Sequence, residues 1–579
     1  MSENLALYHE RIDDVPLIIG MAQQLQLDKL LDRHLGTHGL QQGLHNGQLA
    51  VGWLAYILSR ADHRKSAVRD WAHRLSHTLQ QLLGQALRAT DFSDDRLGGV
   101  LRRLSDDAAW AALEHDLWQA TVTAYELPMT GVRLDATTSI GYHQVTDAGL
   151  MHYGHSQDQR PDLPQLKLMA AAAQPNGQLI ASDVRAGQRA DDPLYTPLIA
   201  RVRQLLGRNG VLYAGDCKMA ALHTRADLVA HQDYYLVPLP LTGETATQFK
   251  QWVNAAVDGE QAATLLWQAD QLLGAGYECE RPQQATWTAA DAVAQTVQWT
   301  ERVQVFRSRA LAAQQQAQLD KRLRVASDAL LALTPAPARG KRQIRTELTL
   351  QESIAAVLAR YDVQGLLQVE WQRAETTVTH QVGRGRPSAA RPVRVETQIR
   401  YAIVKVQIDA AALAAQRARL GWRVQVTNAP SSRLDLTQAV LHYREGYCLE
   451  RDFHLVKDLP LGLSPLFVWR DDQIKGLVRL LTLALRVLTL IEIQVRQGLA
   501  REQQSLVGLY EGQAQRRSDR PSGKRLLRVF ACAQLTLTRV TLEAQTFWQL
   551  TPLSAVHRTI LRYLRLPESL YAAPSVNSS

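Results

Sequence analysis

The feature that most constrains the fold is a change of sequence period at Gly131, where helical spacing gives way to alternating, β-rich sequence. Three segments that favour strands follow, and the turn sequence Pro175-Asn176-Gly177 separates the second from the third. Two more strand segments then alternate with two helical segments as far as Pro238. The predicted order is β-β-β-α-β-α-β, which indicates an α/β fold with a mixed sheet flanked by helices.

Two aspartates lie where this order places reactive groups. Asp135 and Asp216 stand at the ends of the first and fourth predicted strands. Strand ends are where ligands and reactive side chains gather in open α/β sheets. Carboxylates on neighbouring strand ends repel each other unless a cation lies between them, so this pair predicts a cation site.

Residues 443–457 favour a helix with two distinct stripes. The apolar stripe consists of Leu449, Phe453 and Val456. The adjacent polar stripe consists of Glu450, His454 and Lys457, with Gly446 and Tyr443 one and two turns earlier. Taken alone, this is also the pattern of a solvated amphipathic helix. The functional interpretation makes Glu450 a third carboxylate beside Asp135 and Asp216, and such oxygen-only ligation suits Mg²⁺, for which Mn²⁺ can substitute.

Three motifs, in order along the chain, resemble those of the DDE transposases of bacterial insertion sequences. They are Leu-Asp-Ala-Thr-Thr-Ser at Asp135, Ala-Gly-Asp-Cys-Lys at Asp216, and Tyr443-x2-Gly446-x3-Glu450-x6-Lys457. The last resembles the signature Tyr-x2-Arg-x3-Glu-x6-Lys, and segments 154–163 and 550–564 are also similar to this group. The resemblance covers most of the chain and is weakest from residue 241 to residue 400.

The resemblance implies an RNase H-like catalytic core and cut-and-paste transposition. Such an enzyme cleaves the ends of an insertion sequence with the help of metal ions and joins the 3′-OH ends to target DNA. The implied partners are double-stranded DNA, as terminal inverted repeats and as target, and a second copy of the chain in a homodimer on DNA. One departure is Gly446, which stands where the signature has an arginine that is implied to help hold DNA phosphate. Arg444 and Arg451 lie nearby but not on the same helical stripe.

Within this scheme, Asp135 is expected to bridge two metal ions, with Asp216 and Glu450 each holding one. Lys457 lies two turns beyond Glu450, roughly 10 Å along the axis, and is expected to grip an adjacent DNA phosphate. Tyr443 is expected to donate a hydrogen bond to a phosphate oxygen on the other side. His454 has two interpretations, as a partner of a metal ligand or as a water-facing side chain.

Composition favours a polyanionic partner. The net charge is +9 and the pI is about 9.4. Arginine outnumbers lysine, and the planar guanidinium of arginine is better suited than an ammonium group to bind two phosphate oxygens at once. The four cysteines are far apart, which suits a reducing compartment. No signal pattern opens the sequence, and the most apolar run, residues 477–495, contains three charged residues. We therefore expect that run to be a buried helix in a cytoplasmic protein with no membrane span.

The sequence divides into five expected regions. They are a helical domain at 1–125, a first part of the catalytic core at 126–240, an insertion at 241–432, a second part of the core at 433–500, and a C-terminal helical region at 501–579. Residues 46–83 have a helix, a short break and a basic helix, a pattern shared by DNA-binding helix-turn-helix units and by inert helical pairs. Within the insertion, residues 300–333 favour one long helix.

A basic stretch in the insertion predicts further DNA contacts. Arg384, Arg386 and Arg391 lie in and beside the sequence Gly-Arg-Gly-Arg-Pro, with almost no acidic residue nearby. Such loops suit phosphate backbones, although a solvated loop has the same composition. Two other functions stay open on the sequence alone. One is a transposase-derived protein that binds DNA without cutting it, favoured by Gly446, and the other is a stand-alone nuclease of the same fold.

Overall fold

The computed structural model describes residues 5–36, 39, 41–156, 158–288, 293–338, 340–383, 386, 391–513, 515–542 and 545–572. Its first part is a group of helices that is preceded by one strand. The elements are β1 (Leu5–Arg11), α1 (Val15–Gln24), α2 (Leu27–Leu35), α3 (Asn46–Arg60), α4 (Lys65–Arg74), α5 (Ser76–Leu83), α6 (Asp94–Leu104) and α7 (Asp107–Ala124). The expectation of helix throughout residues 1–125 is therefore wrong at β1, and the basic helix is divided at Leu75.

The following region has the predicted element order. It contains β2 (Gly131–Ile140), β3 (Gln165–Gln174), β4 (Leu179–Ala186), α8 (Asp192–Leu206), β5 (Leu212–Ala214), α9 (Leu222–Ala230) and β6 (Tyr234–Pro238). The turn between β3 and β4 lies at Pro175-Asn176-Gly177, where Gly177 has a φ of 83°. That left-handed conformation is open to glycine without a steric cost, which is why this sequence ends one strand and starts the next.

The insertion adds strands and helices in alternation. They are α10 (Gly243–Val257), β7 (Thr264–Gln268), β8 (Gln271–Trp287), β9 (Gln295–Ser308), α11 (Arg309–Ala332), α12 (Glu347–Arg360), β10 (Leu367–Gln381), β11 (Val393–Ile408), α13 (Ala410–Ala418) and β12 (Trp422–Thr427). The predicted helix at 300–333 is wrong in its first part, because residues 300–308 belong to β9. Val303 and Val305 alternate with polar neighbours and are fully buried, which is the pattern of a strand.

The last part of the chain is mainly helical but also contains a hairpin. Its elements are α14 (Leu436–Arg444), α15 (Tyr447–Lys457), α16 (Asp471–Glu502), α17 (Gly523–Cys532), β13 (Thr536–Leu542), β14 (Gln545–Leu550), α18 (Ala555–Tyr563) and a 3-10 helix (Glu568–Tyr571). Strand β1 pairs with β13 along its whole length, so the two ends of the described chain share a three-stranded sheet.

The central sheet has nine strands in the order β4-β3-β2-β5-β6-β12-β9-β8-β7. Strand β2 is antiparallel to β3 and parallel to β5, and β5 is parallel to β6. Strand β12 then joins β6 in antiparallel register, followed by β9, β8 and β7. The molecule is thus a mixed α/β structure with a large mixed sheet, and part of the insertion extends that sheet.

Helices cover both faces of the sheet around β3. Leu168, Ala170 and Ala172 pack in one core with α16, while Met169 and Ala171 pack on the opposite side with α8. Helix α16 is buried along most of its length, as the sequence predicted, and it buries Arg479, Arg486 and Glu492 as well. Within the described part of the chain, no helix combines the length and the apolar character needed to cross a membrane.

A buried ionic cluster joins three of these elements. Glu114 on α7 is fully enclosed and accepts hydrogen bonds from Arg201 on α8, at 2.8 Å, and from Arg486 on α16. It also accepts from the backbone N–H and the hydroxyl of Ser182 on β4, both at 3.0 Å. The carboxylate neutralises two guanidinium groups in a region from which water is excluded, so it should matter for stability.

We expect Glu114→Gln to lower the free energy of unfolding by roughly 3 to 5 kcal/mol, because the buried guanidinium of Arg486 loses its counter-charge and that of Arg201 keeps Asp183 but loses Glu114. Urea titration monitored by circular dichroism measures the change. Glu511→Gln is the matched control, since that carboxylate is 79% exposed and 4.0 Å from Arg528, and it should cost under about 1 kcal/mol. Equal midpoints for the two variants would contradict this prediction.

Candidate carboxylate site

The pairing of β2 with β5 brings the two predicted aspartates together. These strands are parallel neighbours, with Arg133 opposite Ala214. Asp216 lies two residues beyond Ala214, where β5 has just ended, as predicted. Asp135 lies two residues beyond Arg133 but in the middle of β2, so its predicted place at a strand end is wrong, because β2 continues in pairing with β3 to Ile140. The same register continued by two residues therefore sets the two carboxylates side by side at this edge of the sheet.

The third predicted carboxylate comes from a helix that packs on the same strand. Helix α15 contacts β2, and its residues Leu449, Phe453 and Val456 are buried in the core as the apolar stripe predicted. Glu450 lies in the first turn of α15 and is exposed. Burial of the apolar stripe therefore turns Glu450 toward solvent beside the strand that carries Asp135.

The pKa of Asp135 responds to the charges of the other two carboxylates, which indicates that all three lie near one another. Burial raises the pKa of Asp135 to about 6, and the negative charges of Asp216 and Glu450 push in the same direction. The backbone N–H of Ala136, at 2.7 Å, and the positive charge of Arg133 act against the rise. The site therefore concentrates negative charge around a poorly hydrated carboxyl group, a condition that favours either a proton or a cation.

Asp216 is oriented by a buried tyrosine that the sequence did not reveal. The hydroxyl of Tyr195, on α8, donates to Asp216 Oδ1 at 2.7 Å, and the backbone N–H of Lys218 donates to the same oxygen at 3.0 Å. Tyr195 is fully buried, and its pKa is raised well above the usual value by burial and by the charges of Asp216 and Asp135. It therefore stays a proton donor that fixes the direction of the carboxylate.

The carboxylates are neighbours without converging to ligand distance. Among the described residues, no group of three or more histidine, cysteine, aspartate or glutamate side chains is close enough to hold a metal ion. Glu450 is the exposed one of the three, whereas Asp135 and Asp216 are partly buried.

Tyr443 occupies a different position from the one predicted. The expected single helix over 443–457 is two helices, with α14 ending at Arg444 and α15 beginning at Tyr447. Tyr443 therefore does not share a helical stripe with Glu450. Its ring lies against the guanidinium of Arg133, with 4.7 Å between the guanidinium carbon and the ring centre.

Lys457 and His454 have distinct surroundings at the other end of α15. Lys457 Nζ donates to Asp158 Oδ1 at 3.0 Å, which ties α15 to the loop after β2 that holds segment 154–163. Gln157 of that segment lies outside the described residues. His454 is 79% exposed, with Asp458 at 3.9 Å, which agrees with the water-facing interpretation.

The predicted basic residues of the insertion lie at the turn of a separate ribbon. Strands β10 and β11 form a two-stranded sheet of their own, apart from the sheet that carries Asp135 and Asp216. Arg386 is exposed and Arg391 is half-buried, whereas Arg384 lies outside the described residues. Arg386 and Arg391 therefore lie between strands that do not belong to the sheet carrying the carboxylates.

The predicted basic face of the first helices is partly neutralised. Arg64 donates to Asp62, with 2.9 Å between Nη2 and Oδ2, and Lys65 Nζ lies 3.8 Å from Asp94. These contacts leave less free positive charge on α4 than the sequence indicated, so the DNA-binding interpretation of 46–83 stays a prediction.

A family model matches the first part of the chain. Residues 7–114 match a family model described as a domain of unknown function (DUF4277). The match runs from β1 into α7 and includes none of the three carboxylates. No curated protein matches the sequence.

The raised pKa of Asp135 predicts a pH-dependent gain of stability on its removal. Ionisation of this partly buried group adds no free-energy cost below its ordinary pKa of 3.8, adds a growing cost as the pH rises, and adds the full cost above about pH 6. In metal-free buffer, Asp135→Asn should therefore be as stable as the wild type near pH 4. It should be more stable by roughly 2 to 3 kcal/mol at pH 8.

Chemical denaturation in the presence of a chelator, repeated from pH 4 to pH 8, measures this difference. Asp458→Asn is the control, because its side chain is 78% exposed, and its effect should stay under about 0.5 kcal/mol throughout. A difference between Asp135→Asn and wild type that does not vary with pH would show that Asp135 ionises without penalty.

Proposed function

We propose that the protein is a DDE transposase of a bacterial insertion sequence. It would cleave DNA at the ends of the element and transfer the 3′-OH ends into target DNA. The observation that carries this proposal is the meeting of Asp135, Asp216 and Glu450, which are remote in sequence, around two adjacent parallel strands and the helix packed on them. These are the residues that the transposase motifs single out.

The order of the sheet supports an RNase H-like core. Strands β4-β3-β2-β5-β6 contain an antiparallel triplet followed by two parallel strands, with Asp135 on the central one. This is the arrangement expected from the predicted order of elements. The four strands added by the insertion lie beyond β6 and leave the edge near Asp135 and Asp216 unchanged.

The carboxylates suit Mg²⁺, or Mn²⁺ in its place, by the chemistry of their donors. They offer only oxygen ligands, and Asp135 is a partly buried carboxyl that loss of hydration, and then two like charges, make costly to ionise without a cation. In this proposal Asp135 is shared between two metal sites, and Asp216 and Glu450 each complete one. Bound divalent ions would activate the attacking oxygen and stabilise the leaving oxygen. Glu450 must approach Asp135 for this, because the described side chains form no preassembled metal site.

The chain's own residues would bind and orient the DNA strand. Tyr195 fixes the direction of Asp216, and its contact does not depend on a metal. Lys457, at the last residue of α15, would exchange the partly exposed Asp158 for a DNA phosphate. Tyr443 would donate a hydrogen bond from its hydroxyl to an oxygen of a second phosphate. The proposed partners are double-stranded DNA and a second copy of the chain bound to it.

A second candidate is a transposase-derived protein that binds DNA without cutting it. Two observations favour it, namely the glycine at position 446 and the failure of the described carboxylates to converge at ligand distance. Both candidates share the positive net charge and the same fold. They differ in whether Glu450 takes part in chemistry.

Glu450→Gln separates the two candidates, because it keeps the shape of the side chain and removes its charge. If Glu450 holds a catalytic metal, cleavage of terminal-repeat DNA in Mg²⁺ should fall at least about a hundredfold, since metal ions stabilise several kcal/mol of developing charge. Binding to the same DNA should be unchanged or tighter, because one negative charge near the phosphates is gone. A cleavage assay and an electrophoretic mobility shift assay on the same DNA measure both.

Asp458→Asn is the control for that experiment, since it removes one negative charge from the end of the same helix. It should cleave like the wild type. Wild-type cleavage by Glu450→Gln would refute the role of Glu450, and intact DNA with every protein, wild type included, would favour the non-cutting candidate.

Contacts of the ribbon with DNA predict a change in salt dependence. If Arg384, Arg386 and Arg391 each contact one phosphate, replacing all three with alanine should lower the salt slope of binding by about 2.7 log units per log unit of salt. Fluorescence anisotropy at several salt concentrations measures the slope. Replacing Arg322, Arg417 and Arg558 with alanine is the control, because it changes the net charge equally at residues already paired with acids. Identical slopes for the two triple variants would make the ribbon a solvated loop.

A further inference from the structure

Arg133 is a buried cation that the proposed chemistry does not use. It lies on β2 two residues before Asp135, so both side chains project from the same face of the sheet. Arg133 is only 5% exposed, and its Nε and Nη1 atoms are enclosed without a hydrogen-bond partner among the described residues. A buried guanidinium left in this state is costly, so its retention calls for a physical reason.

The guanidinium of Arg133 fills the space in front of position 446. A Cβ atom added at Gly446 would lie 2.7 Å from Arg133 Cζ and 3.0 Å from both Nε and Nη1. The φ of Gly446 is −55°, which any residue adopts, so backbone conformation does not require glycine here. The requirement is space. Tyr443 closes the same space from α14, with its ring centre 4.7 Å from Arg133 Cζ.

Position 446 also controls where α15 begins. Gly446 is the residue before the first turn, and its carbonyl accepts the backbone hydrogen bond of Leu449 at 3.2 Å. Glu450 follows one turn later. Any displacement of Gly446 away from β2 would therefore carry Glu450 away from Asp135.

We propose that Arg133 is the positioning residue for Glu450. Its guanidinium, packed between the ring of Tyr443 and the backbone of Gly446, holds the start of α15 against β2. Glycine at 446 then leaves the space that the Arg133 side chain occupies. The positive charge that the arginine of the motif would supply at position 446 is supplied instead by Arg133, on the neighbouring strand β2. This inference rests on the proposed function for the importance of Glu450, but the packing that it describes does not.

The neighbouring His442 does not weaken the attraction between Arg133 and the carboxylates. His442, the other titratable group packed close by on α14, is buried, and burial followed by the charge of Arg133 lowers its pKa to about 4. It is therefore neutral at pH 7 and does not repel the guanidinium. The carboxylate on which Arg133 acts is Asp135.

Hydrogen exchange tests the packing without metal or DNA. In Arg133→Ala, and separately in Gly446→Ala, peptides covering residues 446–450 should exchange about tenfold faster than in wild type, or about 1.4 kcal/mol less protected. The second change leaves every charge in place and acts only by pushing against the guanidinium. In Arg133→Ala, adding Gly446→Ala should cause no further increase, because the obstacle is gone.

The effect on Glu450 is measured as the affinity for Mn²⁺ in the absence of DNA, with electron paramagnetic resonance as the detection method. Gly446→Ala, which leaves every charge in place, should bind Mn²⁺ about tenfold more weakly than wild type, a loss of about 1.4 kcal/mol. Gly99→Ala is the control, because its added Cβ would meet only Arg102 Nη2, at 3.9 Å, and both readouts should stay at wild-type values.

Exchange and Mn²⁺ affinity at wild-type values in Gly446→Ala would overturn the inference, and so would additive effects of the two substitutions on exchange. If Arg133→Ala does not fold, Gly446→Ala alone decides the question. Failure of the wild type to cut DNA would refute the proposed function, but the exchange result would still decide the role of Arg133.

Discussion

The parallel contact between β2 and β5 is the interaction on which the candidate site depends. It is short, with only Val132 and Arg133 paired opposite Tyr213 and Ala214, yet it fixes the separation of Asp135 and Asp216. Parallel strands require a crossover, and here the crossover runs through β3, β4 and α8. The same crossover delivers Tyr195 to Asp216, so one topological feature both gathers the carboxylates and orients one of them.

Burial of charge recurs among the helices that pack on the sheet. Glu114 is enclosed with Arg201 and Arg486, and Arg451 on α15 pairs with Asp452 and with Glu492 on α16. Such clusters are poor sources of stability compared with apolar packing, but removing one partner is costly. They therefore act as constraints that fix α7, α15 and α16 relative to the sheet. The position of Glu450 depends on that constraint as well as on Arg133.

Much of the fold followed from local pattern, and the parts that did not follow depend on contacts between distant residues. Strands β2 to β6 were predictable because alternation and turn residues are visible in short windows of sequence. The strand part of 300–333 was not, because the Ala- and Gln-rich helix α11 continues directly from β9 and masks its alternation. Strand β1 was missed because its partner, β13, lies more than 500 residues away. At the site, Asp135, Asp216 and Glu450 were predictable as motif residues, but the roles of Tyr195 and Arg133 were not.

The break between α14 and α15 illustrates why a motif read as one helix can fold as two. The spacing from Tyr443 to Lys457 is compatible with a single helix, yet Gly446 lies where the chain must pass over the guanidinium of Arg133. Ending α14 at Arg444 and restarting at Tyr447 lets Tyr443 pack on Arg133 while Glu450 faces solvent beside β2. The packing around Arg133 thus determines how the backbone presents the residues of the motif.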